Sequence, residues 1–204
     1  VCYAVVEQVR KGRIKTILPE AFFGRRGVLP PVETDVDGRK VYIEGIIDRV
    51  DYLEDGRVKI VDYKTGNENF DINEARTGYR LQLMIYLQAA CQKGARPAGV
   101  FYFLIKDHQV NMTEMDIDSQ TVEDKIRKNF RMNGIMVDDE EVIEEIAGRF
   151  TGSSDVVQIR NTKEGIKSAG KETLVAEDEF AVLQADVEDK VKELCEDLLA
   201  GRID

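Results

Sequence analysis

The stretch GIIDRVDYLEDGRVKIVDYKTG, residues 45–66, decides the fold of this 204-residue chain. Its dipeptide Asp55-Gly56 is a turn signal that separates two segments rich in β-branched and aromatic residues. Such a pattern predicts a β-hairpin. The first predicted strand runs over residues 40–53, and the second runs over residues 57–64.

Two registers are compatible with this turn. A two-residue loop would place Asp48 opposite Tyr63, whereas a three-residue loop places Asp48 opposite Asp62 and Val50 opposite Ile60. A slip of one residue moves every side chain of a strand to the other face of the sheet. Because only the three-residue loop pairs apolar residues with each other on one face, the hydrophobic pattern favours that loop.

In this register two carboxylates and a lysine come together. Asp48 and Asp62 face each other with Cβ atoms roughly 5 Å apart, and Lys64 shares the face of Asp62 because side chains alternate along a strand. Facing like charges are destabilising unless a cation lies between them, and Mg²⁺ commonly binds one or two carboxylates together with substrate phosphate. The pattern indicates a divalent metal site; a surface strand pair bridged by Lys64 is the alternative interpretation.

The remaining sequence predicts helices around one central strand. Residues 79–93 predict a helix that ends at Gly94, and the apolar residues 99–105 predict a buried strand. Further predicted elements are a strand over residues 110–117, a helix from Ser119 to Phe130, a helix over residues 138–150, a strand over residues 156–160 within a polar loop, and a closing helix over residues 178–200 with an apolar stripe of Phe180, Leu183, Val187, Val191 and Leu194.

The composition is ordinary for a soluble globular domain, with 33% charged and 43% hydrophobic residues. The longest nearly apolar run, residues 99–105, is too short to span a bilayer. Val1 is not followed by a cationic stretch and an apolar run, so we expect no signal peptide and no membrane partner.

Cysteine and charge content narrow the chemistry. Cys2, Cys91 and Cys195 lie far apart, which indicates free thiols in a reducing compartment, and the single histidine, His108, excludes a mechanism that needs a histidine pair in this chain. The net charge of −10 opposes binding to a polyanion such as nucleic acid. It favours either an acidic domain that never contacts nucleic acid or a catalytic module whose metal and partner domains supply positive charge.

Three motifs, taken together, resemble the PD-(D/E)xK nucleases of the RecB type. GIIDRVD at 45–51, VDYKTG at 61–66 and QLMIY at 82–86 have the order and similar intervals of that family's pattern. FFG at 22–24 and PAGVFYFLIKD at 97–107 resemble, more narrowly, the nuclease domains of the AddB type. The resemblance implies an α/β (α+β), restriction-endonuclease-like core, with a mixed β-sheet flanked by helices. We expect this core over residues 1–118, beginning after the family's usual first helix, and a helical extension packed on it over residues 119–204.

The resemblance also implies a role for each motif residue. Asp48 and Asp62 resemble the acids that bind Mg²⁺, for which Mn²⁺ or Ca²⁺ can substitute, and the carbonyl of Tyr63 resembles a further ligand. Lys64 resembles the catalytic lysine that orients or activates water. Gln82 and Tyr86 resemble the family's helix residues that brace the site and contact DNA.

The implied activity is metal-dependent DNA cleavage in a helicase–nuclease that processes double-strand breaks for recombinational repair in the bacterial cytoplasm. The implied partners are DNA and an AddA-type helicase–nuclease subunit. A non-catalytic DNA-binding or scaffold module of the same fold, and a Cas4-like or phage exonuclease, are the alternatives.

The sequence departs from the family pattern in two ways. A His or Glu on an earlier helix usually completes the metal site; we expect that residue to lie before Val1, with Glu44 as a weak substitute. Full-length AddB-type domains commonly bind an iron–sulfur cluster, but the cysteine spacing here does not match, so we expect no cluster in this chain. These departures and the acidic charge predict that the 204-residue chain alone binds DNA weakly and cleaves it poorly or not at all.

Overall fold

The computed structural model describes residues 2–105 and 126–202. The predicted strand over residues 110–117, the start of the predicted helix at Ser119 and His108 lie outside the described residues. The elements, in chain order, are α1 (Cys2–Lys11), β1 (Ile14–Phe23), β2 (Val32–Val36), β3 (Arg39–Ile43), β4 (Gly45–Leu53), β5 (Val58–Lys64), α2 (Ile72–Arg76), α3 (Gln82–Cys91), β6 (Pro97–Leu104), β7 (Asn133–Val137), α4 (Glu140–Ala147), β8 (Ile159–Thr162), β9 (Gly165–Ser168), β10 (Leu174–Val175) and α5 (Glu177–Leu199).

A six-stranded mixed sheet forms the centre of the fold, in the order β1-β4-β5-β6-β7-β10. The β5–β6 and β7–β10 pairs are parallel, and the other neighbours are antiparallel. Helix α3 packs on β5 and β6, α5 packs on α2 and α3, and α4 packs on β7 and α1. The predicted α/β fold, a mixed sheet flanked by helices, is therefore confirmed.

The β4–β5 hairpin has the predicted three-residue loop. Val50 pairs with Ile60, and the N–H of Leu53 donates to the carbonyl of Arg57 at 2.9 Å. Gly56 has a φ of 83°, a left-handed conformation that glycine adopts without steric cost. The apolar cross-strand pairs and the turn glycine therefore select the same register.

The opposite face of the hairpin carries a buried ion cluster. Asp51 pairs across the strands with Lys59, whose ammonium lies 2.9 Å from the Asp51 carboxylate. Arg49 contacts the same carboxylate at 2.6 Å, and all three residues are at most 3% exposed. Burial lowers the pKa of Lys59, and the neighbouring Asp51 opposes that shift. Strand alternation predicts that Lys59 lies on this face, but it does not predict that the face is covered.

The predicted long strand over residues 40–53 is wrong, because the chain changes sheets at Glu44. β3 pairs with β2 in a separate two-stranded sheet, and β4 joins the central sheet beside β1. At the change of sheets, a Cβ on Gly45 would lie 2.9 Å from the Phe23 ring, so this close approach requires glycine.

The predicted helix over residues 79–93 begins three residues late, at Gln82. Gly78 and Arg80 have φ values of 93° and 55°, which an α-helix cannot accommodate. The helix ends near the expected Gly94, whose φ is 88°. The short helix α2, capped by Asp71, was not predicted, and neither was α1.

In the C-terminal region the prediction is accurate for the helices and less so for the strand. α5 matches its predicted range within one residue at each end, but Leu194 is 45% exposed and Cys195 takes its place in the buried stripe. The strand expected over residues 156–160 lies instead at Ile159–Thr162. Among the described residues, no helix is long and apolar enough to cross a membrane.

Candidate active site

The two aspartates of the hairpin lie near the end of the central sheet at which β4 begins and β5 ends. The β4–β5 ladder ends at the pair of Arg49 and Val61, so Asp48 and Asp62 lie directly beyond its last pair. One oxygen of Asp48 accepts the N–H of Tyr63 at 2.8 Å. The Asp62 side chain is buried. The strand pairing therefore brings the two carboxylates to the same place, as the sequence predicted.

Lys64 connects this acid pair to helix α3. Its Nζ lies 2.7 Å from Oδ2 of Asp62 and donates to Oε1 of Gln82 at 2.8 Å. Nε2 of Gln82 then donates to the hydroxyl of Tyr86 at 2.7 Å. The strand residues Asp62 and Lys64 and the helix residues Gln82 and Tyr86 thus form one continuous polar chain.

Burial and like charge change the acid–base properties of this site. The pKa of Asp62 is raised, first by burial and then by the charges of Asp48 and Glu68, while Lys64 opposes the shift. The pKa of Tyr86 is raised by burial and by the two aspartates, and its hydrogen bond with Gln82 opposes the rise. A bound cation would relieve this excess of negative charge.

A comparison with known families shows the superfamily of the chain. The family described as the PD-(D/E)XK nuclease superfamily matches residues 4–204. This chain belongs to that superfamily. Two curated relatives are both named as a subunit of an ATP-dependent helicase/deoxyribonuclease. The one from Alkaliphilus oremlandii is 36% identical over 98% of this chain, and the one from Clostridium kluyveri is 33% identical over 99%.

This PD-(D/E)XK chain spans 18% of the length of these two relatives. Among solved structures, the chain titled "Crystal structure of SSO0001" aligns with a TM-score of 0.33 and 19% identity, over 61% of this chain and 56% of that chain. That similarity is too low to add to the description of the fold.

The oxygen donors at the PD-(D/E)XK site fit a hard divalent cation. Asp48 and Asp62 supply carboxylates, the ligands that Mg²⁺ commonly takes from proteins. Outside residues 106–125 and the chain ends, no group of three or more His, Cys, Asp or Glu side chains is already arranged to hold a metal ion. The fit therefore rests on two facing acids, with Lys64 close to one of them.

Glu68 is an acid of this site that the sequence analysis missed. Its charge contributes to the raised pKa of Asp62, and its Oε2 is buried without a hydrogen-bond partner in the described part of the chain. A Cβ on Gly66 would lie 2.6 Å from that oxygen, so the glycine leaves room for the carboxylate. Strand alternation could not place this carboxylate, because Glu68 lies beyond the end of β5.

Glu44, which the sequence suggested as a substitute metal ligand, has a hydrogen-bond partner outside the acid pair. It lies between β3 and β4, and its Oε1 accepts the N–H of Arg25 at 2.8 Å. The carboxylate thus stabilises the turn that follows β1. The charge of Glu68, by contrast, is one of the causes that raise the pKa of Asp62.

Proposed function

We propose that this chain is a metal-dependent deoxyribonuclease domain of an AddB-type helicase–nuclease subunit and that it hydrolyses phosphodiester bonds of DNA. The observation that carries the proposal is the position of Asp48 and Asp62 directly beyond the last pair of the β4–β5 ladder, with the ammonium of Lys64 against Asp62. Support also comes from the relatives named deoxyribonuclease subunits, which align with nearly the whole chain.

We propose Asp48 and Asp62 as ligands of Mg²⁺, with the carbonyl of Tyr63 as a further ligand; Mn²⁺ or Ca²⁺ can substitute. A divalent ion bound there supplies Lewis acidity toward a phosphodiester oxygen. The Tyr63 N–H holds one oxygen of Asp48 at 2.8 Å, which fixes the orientation of that carboxylate. Burial of Asp62 keeps water from competing for its oxygens.

Lys64 acts on the reacting groups themselves. Its ammonium orients the attacking water and stabilises the negative charge that develops at phosphorus, where a fixed positive charge has its largest effect. Gln82 accepts a hydrogen bond from Lys64 and is held in turn by Tyr86. The helix thereby restricts the rotamers of the lysine and presents two polar groups toward DNA.

The proposed biological setting follows from the relatives. The domain would act in the cytoplasm of a bacterium, with an AddA-type subunit as partner, on DNA ends during double-strand break processing and recombinational repair. In such a complex the partner domains would supply positive charge that this chain, with a net charge of −10, does not provide overall.

A nuclease assay tests this function. Linear DNA is incubated with a high concentration of the chain in Mg²⁺, and wild type is compared with Asp62→Asn and with the matched control Asp189→Asn on the exposed side of α5. We expect slow Mg²⁺-dependent cleavage that Asp62→Asn abolishes and Asp189→Asn retains. Binding of DNA without any cleavage in Mg²⁺ or Mn²⁺ would instead support a non-catalytic DNA-binding module.

A further inference from the structure

The carboxylate of Glu68 lies just beyond the end of β5, against the backbone of Gly66. A Cβ on Gly66 would lie 2.6 Å from one carboxylate oxygen and 2.7 Å from the other. Tyr102, the partner of Asp62 across β5 and β6, has its ring 5.5 Å from the ammonium of Lys64. The pKa values of Asp62 and Tyr102 are both raised first by burial and then by negative charges that include Glu68. The Glu68 carboxylate is therefore a neighbour of the acid pair.

Contacts on the next two residues hold the segment that carries Glu68. The N–H of Phe70 donates to Oδ1 of the buried Asn133 on β7 at 2.6 Å. The carbonyl of Asn69 accepts a hydrogen bond from Nη1 of Arg80 at 3.3 Å. Arg80 makes this contact from a left-handed conformation, with a φ of 55°, which is uncommon for a residue other than glycine. The segment is thus attached both to the central sheet and to the residues that precede α3.

One oxygen of Glu68 can accept a further hydrogen bond. Its Oε2 is buried, and no group in the described part of the chain donates to it. The cations of this region have other partners, since Lys64 contacts Asp62 and Arg80 contacts Glu74, each at 2.7 Å. A buried acceptor without a donor costs stability, so this oxygen is suited to a donor that the chain itself does not supply.

A hydrated cation at the acid pair would supply such a donor. Mg²⁺ gives up water reluctantly and keeps several water molecules when one or two carboxylates bind it. Direct ligation by Glu68 does not fit the geometry, because no three acidic, histidine or cysteine side chains within residues 2–105 and 126–202 are grouped closely enough to hold one ion. Its carboxylate is close enough for its charge to act on Asp62. This arrangement fits a carboxylate that is one water molecule away from the cation.

We propose that Glu68 is a positioning residue of the metal site, whose carboxylate accepts a hydrogen bond from a water molecule of the cation at Asp48 and Asp62 and does not bind that cation directly. The inference rests on the proposed function, because it takes the cation of the proposed nuclease site as given. Removal of an acceptor in such a position typically lowers metal affinity by about 10–100-fold. Direct ligation by Glu68 and a long-range effect of its charge are the alternatives.

Calorimetric titration with Mn²⁺ measures the effect of Glu68 without any DNA cleavage. Glu68→Gln should lower the affinity by about 10–100-fold. Glu44→Gln is the matched control, because it removes one exposed carboxylate charge that lies four residues before Asp48, and it should leave the affinity unchanged. Wild-type affinity in Glu68→Gln, an equal loss in Glu44→Gln, or wild-type protein that binds no Mn²⁺ would each overturn the proposal.

Gly66→Ala separates the position of the carboxylate from its charge. The added methyl group would occupy the space of the Glu68 carboxylate and displace this flexible side chain, while the charge is retained. Gly66 does not have a positive φ, so its backbone accepts alanine. Gly66→Ala should therefore weaken Mn²⁺ binding, and adding it to Glu68→Gln should cause no further loss. Wild-type affinity in Gly66→Ala would show that only the charge matters and would contradict the proposal. Circular dichroism of each variant checks that the fold is retained.

Pulsed EPR of bound Mn²⁺ in isotopically labelled water distinguishes contact through water from direct ligation. At saturating Mn²⁺, the number of water ligands in Glu68→Gln should equal that in wild type. One additional water ligand in Glu68→Gln would identify Glu68 as a direct ligand and would overturn the proposal.

This inference and the proposed function fail in different ways. If the chain binds the cation but is not a nuclease, Glu68→Gln still weakens Mn²⁺ binding, while neither wild type nor any variant cleaves DNA. If Glu68 does not act on the cation, Glu68→Gln binds Mn²⁺ with wild-type affinity, while cleavage still depends on Asp62.

Discussion

The ammonium of Lys64 lies 2.7 Å from the carboxylate of Asp62, two residues earlier on the same face of β5. Lys64 therefore neutralises the buried acid when no cation is bound, and we propose that the same lysine acts on the reacting phosphate. Its hydrogen bond to Gln82 prevents it from turning away from the site. In the proposed mechanism, the charge balance of the metal-free site and catalysis would both depend on this side chain.

Lys64→Ala should reduce the rate of DNA cleavage by about 10²–10³-fold, because removal of one group that stabilises transition-state charge commonly costs that much. Metal affinity should remain close to that of wild type, since the ammonium is not a ligand. Single-turnover cleavage rates and Mn²⁺ titrations on the same variant measure the two effects. A variant that cleaves DNA at the normal rate would show that Lys64 is only a counter-ion.

Asp62→Asn should stabilise the metal-free fold at neutral pH. The folded-state pKa of Asp62 is raised above the ordinary value of 3.8. The ionised form therefore costs stability at pH values above the folded-state pKa, and the cost disappears as pH falls below the unfolded-state pKa. Thermal melts in EDTA should show a Tm difference that is largest near pH 7 and shrinks toward pH 3. A lower Tm for the variant at pH 7 would contradict the expectation.

Glu68→Gln should lower the pKa of Asp62, because the charge of Glu68 is one of the causes that raise it. Carboxyl ¹³C NMR titration of the metal-free protein measures this shift directly. Glu44→Gln is the matched control, since that carboxylate accepts a hydrogen bond from the backbone N–H of Arg25. An Asp62 pKa that stays the same in Glu68→Gln would remove Glu68 from the site.

Asp51→Asn should destabilise the fold by about 3–5 kcal/mol, since removal of one partner from a buried ion cluster leaves uncompensated charge. Arg49 and Lys59 would then remain buried without the carboxylate that both of them contact. Urea unfolding measures the loss. Glu33→Gln removes an exposed ion pair with Lys40 and should leave the free energy of unfolding almost unchanged. Equal effects of the two substitutions would be inconsistent with a buried cluster.

The hairpin and its acids could be predicted from sequence because their determinants are local. Alternation along a strand places Asp62 and Lys64 on one face, and the apolar pairs fix where Asp48 lies. Gln82 and Tyr86 are four residues apart, so any helix over them puts both on one side. Three of these side chains, Lys64, Gln82 and Tyr86, meet in the structure.

The features that escaped prediction depend on distant parts of the chain. Lys59 is buried only because other elements cover both faces of β5, which strand periodicity alone does not reveal. The late start of α3 follows from positive φ at Gly78 and Arg80, and the second of these is a residue type that rarely adopts it. The cavity lined by Lys11, Lys128 and Arg149 joins α1, residue 128 and the loop after α4, which are well separated in sequence.

Titration calorimetry with Mn²⁺ tests the assignment of Asp48 and Asp62 as metal ligands most directly. Wild-type protein should bind the ion, and Asp62→Ala should lose at least tenfold in affinity while its circular dichroism spectrum remains that of wild type. Mn²⁺ affinity that is the same in Asp62→Ala and wild type would contradict the assignment.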